Sequence, residues 1–345
     1  MNRIRVNTSK AYDVIIGSGL LKTPANYLSE ILAPGCRLAI ISDSNVWPIY
    51  GQTVRENLLS NGYGVCEYVF PAGEASKNAD TYLQILDFLA ENHITRSDVI
   101  VALGGGVTGD MAGFAAATFL RGIRYIQMPT SLLAMVDSSV GGKTAIDLPA
   151  GKNLLGAFHQ PAMVLCDTDA LETLPGSVFC DGCAEVIKYG ILFDPRLFAH
   201  LEEFGLDFDR EVVISRCVAL KRDVVCTDEF DTGLRQKLNL GHTIGHGIEA
   251  QSNFTITHGQ AVAVGMAIAA KSACRNIYPR IVALLEKFKL PTTTAFSAAE
   301  LADYTLSDKK RFGKTVNLIV PNAIGDCAIV PTPVDQVELF IKEGL

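Results

Sequence analysis

Short apolar runs separated by helix-period stretches fill the first half of the chain. Leu38-Ala-Ile-Ile-Ser42 stops at Asp43, Asp98-Val-Ile-Val-Ala-Leu103 at Gly104, and Arg124-Tyr-Ile-Gln-Met128 at Pro129-Thr130. Between them, Ala79 to Asn92 and Met111 to Leu120 repeat their apolar positions every three or four residues. Strands alternating with helices predict a mostly parallel α/β sheet. From about Pro175 the rhythm changes. Ala184 to Leu192, Val212 to Val225 and Ala261 to Ala273 all keep the helical spacing, which predicts a mostly helical second half. The shift falls between Gln160 and Pro175, so two domains are expected: an α/β domain over 1–165 and a helical one over 166–345.

Composition narrows the options. The 345 residues are 48% apolar and 19% charged, enough for large cores and too apolar for a disordered chain. The net charge of −7 argues against nucleic acid as a partner, since phosphate backbones need a basic footprint. The strongest apolar run, Ala261 to Ala270, is well short of the roughly 18–20 residues that cross a bilayer, so no membrane association is expected. No apolar stretch follows Met1-Asn2-Arg3-Ile4-Arg5, which makes the cytoplasm the expected compartment. Most of the nine cysteines are then expected to be reduced and buried. Cys180 and Cys183 have CxxC spacing, but one such pair supplies only two metal ligands, so they read as bystanders.

Three constellations carry chemistry. Gly104-Gly-Gly-Val-Thr-Gly109 satisfies GxGxxG directly after a strand-like run and before a helix-like one, the context in which glycines admit a pyrophosphate to a helix N-terminus. The acidic residue expected about 20 positions later to bind a ribose is missing, because nothing acidic occurs from Met111 to Val136. Asp43, at the end of an earlier strand, is the substitute, which implies a nucleotide site of unusual chain order. Second, three of the six histidines fall together. His242 and His246 are spaced to share a helical face, His258 follows, and Glu185 interrupts an apolar helix pattern. Imidazoles plus a carboxylate suit a catalytic divalent metal, although spacing does not decide which histidines ligate. Third, Arg121, Lys143, Lys152, Lys188, Lys221 and Arg235 sit among glycines or apolar residues in an acidic chain. Together they point to an anionic substrate with phosphate or carboxylate groups. The segment Asp137-Ser-Ser-Val-Gly-Gly-Lys143-Thr144 looks like a phosphate cradle, but it lacks the first glycine of a Walker A loop.

Longer motifs resemble the 3-dehydroquinate synthases. They are Gly104 to Asp110, Gln127 to Ser131, Val136 to Thr144, Gly151 to Pro161, Ala184 to Lys188, Gly233 to Arg235, Leu238 to His246, and His258-Gly259. The resemblance implies a Rossmann-like, NAD-binding N-terminal domain and a helical metal- and substrate-binding C-terminal domain. It implies Zn²⁺ or Co²⁺, one per chain, on Glu185, His242 and His258. It implies NAD contacts at Asp43, Asn45, Gly73, Glu74, Lys77, Gly105, Gly106, Asp110, Thr130, Ser131 and Thr173, with Lys143 and Lys152 shared with the substrate. Substrate contacts would be Asp137, Lys143, Lys152, Asn153, Lys188, Lys221, Arg235, Asn239, His246 and Lys310, with Lys309 as the neighbouring option for the last. Arg121 resembles an arginine that reaches the partner subunit's site, implying a homodimer. Asp231 stands where the family has Glu.

The implied reaction turns 3-deoxy-D-arabino-heptulosonate 7-phosphate into 3-dehydroquinate and phosphate. It runs by transient oxidation with NAD, β-elimination of phosphate, re-reduction and an intramolecular aldol closure. Two rivals share the domain plan: a cyclase of the 2-deoxy-scyllo-inosose synthase type, whose substrate lacks the carboxylate, and a metal-dependent polyol dehydrogenase of the glycerol dehydrogenase type. A third reading, an inactive NAD-binding regulator, is disfavoured by the intact Glu185, Lys188, His242 and His258.

Overall fold

The apolar runs are the inner strands of one sheet in the computed structural model, which describes residues 1–307, 311–312 and 314–345. The strands of the first half are β1 (Asn2–Val6), β2 (Tyr12–Gly17), β3 (Arg37–Asp43), β4 (Gly64–Phe70), β5 (Val99–Gly104), β6 (Arg124–Pro129), β7 (Lys143–Leu148), β8 (Gly151–Phe158) and β9 (Met163–Asp167). Seven form a sheet in the order β1-β2-β9-β6-β5-β3-β4, parallel except for β1 against β2. All of β5 is buried, which explains its unbroken apolar sequence: a parallel strand covered on both faces has no polar side to show. β7 and β8 make a separate antiparallel hairpin.

The helices along the chain are α1 (Pro24–Leu28), α2 (Gln52–Ser60), α3 (Ala79–Glu91), α4 (Gly106–Thr118), α5 (Gly176–Phe193), α6 (Pro195–Phe204), α7 (Arg210–Thr227), α8 (His242–Gln251), α9 (His258–Ala273), α10 (Tyr278–Lys287), α11 (Ala298–Ser307) and α12 (Val334–Gly344). α4 begins five residues before the expected start at Met111, so the second half of the glycine motif is its first turn. It lies close against its neighbours because Gly113 has no side chain. A Cβ there would come within 3.1 Å of the Tyr125 ring and 3.2 Å of Thr144 Cβ.

Two compact units result. One comprises Met1–Leu174 with Arg210–Phe230; the other comprises Pro175–Asp209 with Asp231–Leu345. α7, which by its position in the sequence reads as part of the helical half, packs on β1, β2 and the turn Ala134–Ser138. Asn2 Nδ2 donates to Glu211 Oε1 at 3.0 Å, and Ser9 N to Glu229 Oε2 at 2.8 Å, fastening the first strand and its loop to this returning segment.

The second unit is helical around α9, whose residues from Ala261 to Ala270 are all buried. It also contains a three-stranded antiparallel sheet, β10 (Arg311–Phe312), β11 (Thr315–Ala323) and β12 (Asp326–Pro333), which the helical periodicity upstream did not announce. Glycines set the helix spacing. A Cβ on Gly245 of α8 would lie 3.1 Å from the Ala261 backbone. One on Gly259 of α9 would overlap the Asp181 carbonyl of α5. α5, α8 and α9 therefore meet backbone to backbone.

Candidate metal and nucleotide sites

That close approach assembles the histidine cluster within the second unit. Asp181 sits one helical turn before Glu185 on α5. Its Oδ1 accepts the hydroxyl of Thr257 and, at 3.1 Å, the amide of Gln260. The start of α9, where His258 is the first helical residue, is thereby pinned beside Glu185. α8 brings His242, and its i, i+4 partner His246 lies on the same side, with ring centroids 5.5 Å apart.

Glu185 is fully buried, and neither of its carboxylate oxygens accepts a hydrogen bond. A buried carboxylate in that state is destabilising unless positive charge compensates it. Lys188 Nζ lies in ion-pair contact with Oε2. On the other side, Nε2 of His242 and Nε2 of His258 each stand 3.5 Å from Oε1. Ligand atoms of the three residues lie within 4.8 Å of one another. The Nδ1 atom of His242 is 3.1 Å from the Leu240 carbonyl. A carbonyl only accepts, so Nδ1 carries a proton, and Nε2 is the nitrogen that faces Glu185. Two imidazoles and a carboxylate, backed by such partners, fit a divalent ion of the Zn²⁺ or Co²⁺ kind with positions left for substrate. Burial pulls the His258 imidazolium down, but Glu185 and Glu249 outweigh it and hold its pKa up at about 10 in the metal-free protein. An arriving cation must displace that proton.

The cations that the sequence singled out in this unit are buried. Lys188 is 1% exposed, and Arg235, in the turn Leu234–Asn239, is 2% exposed. Asn239 ends the same turn. Asp231 has φ 59°, a left-handed conformation that Asp adopts more readily than most residues. Lys309 and Lys310 lie outside the described residues.

In the first unit, β3 pairs with β5 so that Ser42 faces Leu103. Asp43 and Gly104 therefore leave the sheet side by side. The chain runs from β3 to β4 on one flank and returns as β5 on the other. This is the strand-order reversal at whose carboxyl edge α/β proteins bind ligands. The acidic residue nearest the glycine turn in this arrangement is Asp43, at the end of the neighbouring strand. Asp43 Oδ1 accepts the amides of Asn45 and Val46 at 2.9 and 3.0 Å, and Oδ2 the Thr108 hydroxyl at 3.3 Å. Gly105 precedes α4 in an extended conformation, and a Cβ there would face Ser131 Oγ at 3.5 Å. At Gly106 it would face Ser138 Oγ at 3.2 Å. Thr130 donates its amide to the Gly104 carbonyl at 2.9 Å, which brings the β6 exit onto the same turn. Thr173 pairs its hydroxyl with Tyr50.

A second cluster in this unit centres on Lys77. Its ammonium donates to Asp110 Oδ2 at 2.7 Å and to Asn153 Oδ1 at 2.6 Å. Burial lowers the Lys77 pKa, but Asp110 and Glu74 more than reverse the effect, so it stays charged. Gly73, at φ 111°, opens the turn that presents Glu74, and Lys152 Nζ is 3.8 Å from Glu74 Oε1. Asn153 holds φ 54° with its amide bonded to Asp147 Oδ1 at 2.7 Å. Asp147 was not singled out by any motif, yet its own amide reaches the Lys77 carbonyl at 2.9 Å and ties the β7–β8 hairpin to the cluster. Lys221 on α7 pairs with Asp137, 2.9 Å to Oδ1 and 2.6 Å to the carbonyl. Lys143 is exposed. Arg121 is exposed in a loop where Leu120 and Arg121 both take positive φ, 50° and 67°.

Cys183 is buried and Cys180 half-buried, and neither joins a metal-competent group among the described residues. The Cys180→Ser, Cys183→Ser double variant should keep its full metal content by elemental analysis. A large loss would make the pair ligands. Among the described residues no helix is long and apolar enough to cross a membrane.

Residues 67–181 match the 3-dehydroquinate synthase N-terminal family and residues 182–311 the 3-dehydroquinate synthase C-terminal family. A 3-dehydroquinate synthase of Pelobacter propionicus is 44% identical, over 100% of this chain and 99% of its own length. A solved 2-deoxy-scyllo-inosose synthase, complexed with carbaglucose-6-phosphate, NAD⁺ and Co²⁺, is similar with TM-score 0.88 and 26% identity over 100% of both chains. A 2-epi-5-epi-valiolone synthase of Streptomyces hygroscopicus subsp. jinggangensis, with NAD⁺ and Zn²⁺ bound, gives TM-score 0.88 and 25% identity. That match covers 99% of this chain and 98% of that one.

Proposed function

The chain belongs to the 3-dehydroquinate synthase family of phosphate-eliminating enzymes, and on that premise we propose that it converts 3-deoxy-D-arabino-heptulosonate 7-phosphate to 3-dehydroquinate and phosphate. The observation that carries the substrate class is the burial of the Arg235 guanidinium in the same unit as Glu185, His242 and His258. A substrate carboxylate suits such a group; a neutral polyol does not call for it.

Glu185, His242 and His258 would hold the metal, which when bound supplies Lewis acidity for forming an alkoxide at the reacting carbon. NAD would lie along the carboxyl edge of β3 and β5, against Asp43, Asn45, Gly105, Gly106, Thr130, Ser131 and Thr173, and against Gly73, Glu74, Lys77 and Asp110; it supplies a reversible hydride acceptor. The remaining work is charge placement by the chain. Lys188, in ion-pair contact with Glu185, would also contact the substrate. Lys143, Lys152, Asn153, His246, Lys310 and Arg121 of the partner subunit receive the phosphate. Arg235 and Lys221 receive the carboxylate, with Asp137 and Asn239 orienting the hydroxyls. For Lys221 this means exchanging part of its Asp137 pairing for the substrate. The substrate's own phosphate takes the proton as it leaves, so no side chain need serve as the general base. The proposal includes a homodimer and a cytoplasmic setting.

Electron bookkeeping tests the reading. Parallel measurement of reduced nicotinamide and free phosphate should show one phosphate per substrate and no net NADH, because the hydride returns within each turnover. Stoichiometric NADH without phosphate would instead support a polyol dehydrogenase.

A further inference from the structure

Glu249 belongs to no motif that the sequence offers, and none of the roles above uses it. It is 3% exposed, in the last turn of α8 beside the buried Ile248. A carboxylate taken out of water needs compensation. Glu249 stands three residues after His246 and seven after His242, on the helical face that carries both imidazoles. Its Oε2 is 3.4 Å from Nδ1 of His258, which arrives from α9.

The two metal-facing imidazoles are thus oriented differently. His242 is held by a carbonyl two residues back in its own chain segment, an acceptor that any sequence would provide. His258 is held by a carboxylate side chain on another helix. Asp181 fixes where the α9 backbone begins, but backbone position alone leaves the imidazole free to turn about its own bonds. We infer that Glu249 is a positioning residue, which keeps the His258 ring with Nδ1 protonated and Nε2 directed at Glu185, and which strengthens that imidazole as a ligand for a divalent cation. A carboxylate on the distal nitrogen does both at once: it selects the tautomer and adds electron density to the ring. The inference rests on the metal assignment to Glu185, His242 and His258.

The test compares the full chain with its Glu249→Gln and Glu249→Ala variants. Each is stripped and titrated with Co²⁺ and with Zn²⁺ against a chromogenic chelator at one fixed pH. Glu249→Ala, which removes acceptor and charge, should bind about ten- to hundredfold more weakly and release metal correspondingly faster. Glu249→Gln keeps an amide oxygen for Nδ1–H but no charge, and should fall between. A purely structural Glu249 would lower the unfolding temperature of the metal-free protein and leave metal affinity alone. Equal affinity in all three proteins overturns the role. If Glu249→Ala fails to fold, unchanged affinity in Glu249→Gln overturns it and weakened affinity supports it. A wild-type chain that takes up neither ion overturns the metal assignment itself, a result distinct from the other failures.

Discussion

His258→Ala should lose bound metal and activity together while the protein stays folded. The side chain supplies one of the three ligand atoms offered by Glu185, His242 and His258, and the two that remain make a poor seat for a divalent ion. Folding does not depend on the imidazole. The start of α9 is set by Asp181 on Thr257 and Gln260, by Gly259 against the Asp181 backbone, and by the buried run from Ala261. Lewis-acid stabilisation amounts to several kcal/mol, so the turnover rate should fall by at least about a thousandfold. Elemental analysis and an anomalous-scattering map check the first half, and thermal unfolding checks the second. Full metal retention in the variant would remove His258 from the ligand set.

Arg235→Ala should be nearly as damaging by a different route. The guanidinium is buried, so a substrate carboxylate that meets it is desolvated as well, and removing one partner strands the other. Such truncations cost roughly 2–5 kcal/mol, which is about thirtyfold to a few thousandfold in kcat/KM. Metal content should be untouched, which separates this variant from His258→Ala. Arg235→Lys should recover part of the loss, since the charge remains but the two-pronged geometry does not. A substrate analogue without the carboxylate should be nearly indifferent to the change. If Arg235→Ala slows turnover of both compounds equally, the arginine is not the carboxylate partner.

Much of this could be read from the sequence where local pattern and tertiary placement agree. Buried parallel strands are continuous apolar runs, and β3, β5 and β6 were found within a residue or so of their ends. The glycine motif signalled a strand–helix turn, but its last four residues are already helical, because Gly109 and Gly113 serve close packing of α4 and not the turn. Asp43 stood out only because the expected acid was missing; the β3–β5 register is what places it beside Gly104. The residues that orient the site were invisible for a related reason. Asp181, Asp147 and Glu249 act across the fold, on Gln260, Lys77 and His258 in other elements, and nothing in their neighbourhood along the chain marks them. β11 was missed because its alternation is short and interrupted by Pro321.

The excursion of the chain through α5 and α6 before α7 has a consequence for synthesis. On the ribosome, the strands of the first unit are all made by Asp167, yet α7 is complete only at Thr227. At about 5–20 residues per second, β1 and β2 wait several seconds for their covering helix. During that interval the surfaces later covered by Val213, Ile214, Cys217, Val218, Val224 and Val225 are bare, and Asp137 lacks Lys221. The first unit therefore closes only when its returning helix is made, whereas a domain ending at residue 174 would close at once. Pausing codons placed between 174 and 210 would lengthen the exposure, whereas the same codons after 230 would leave the first unit already closed.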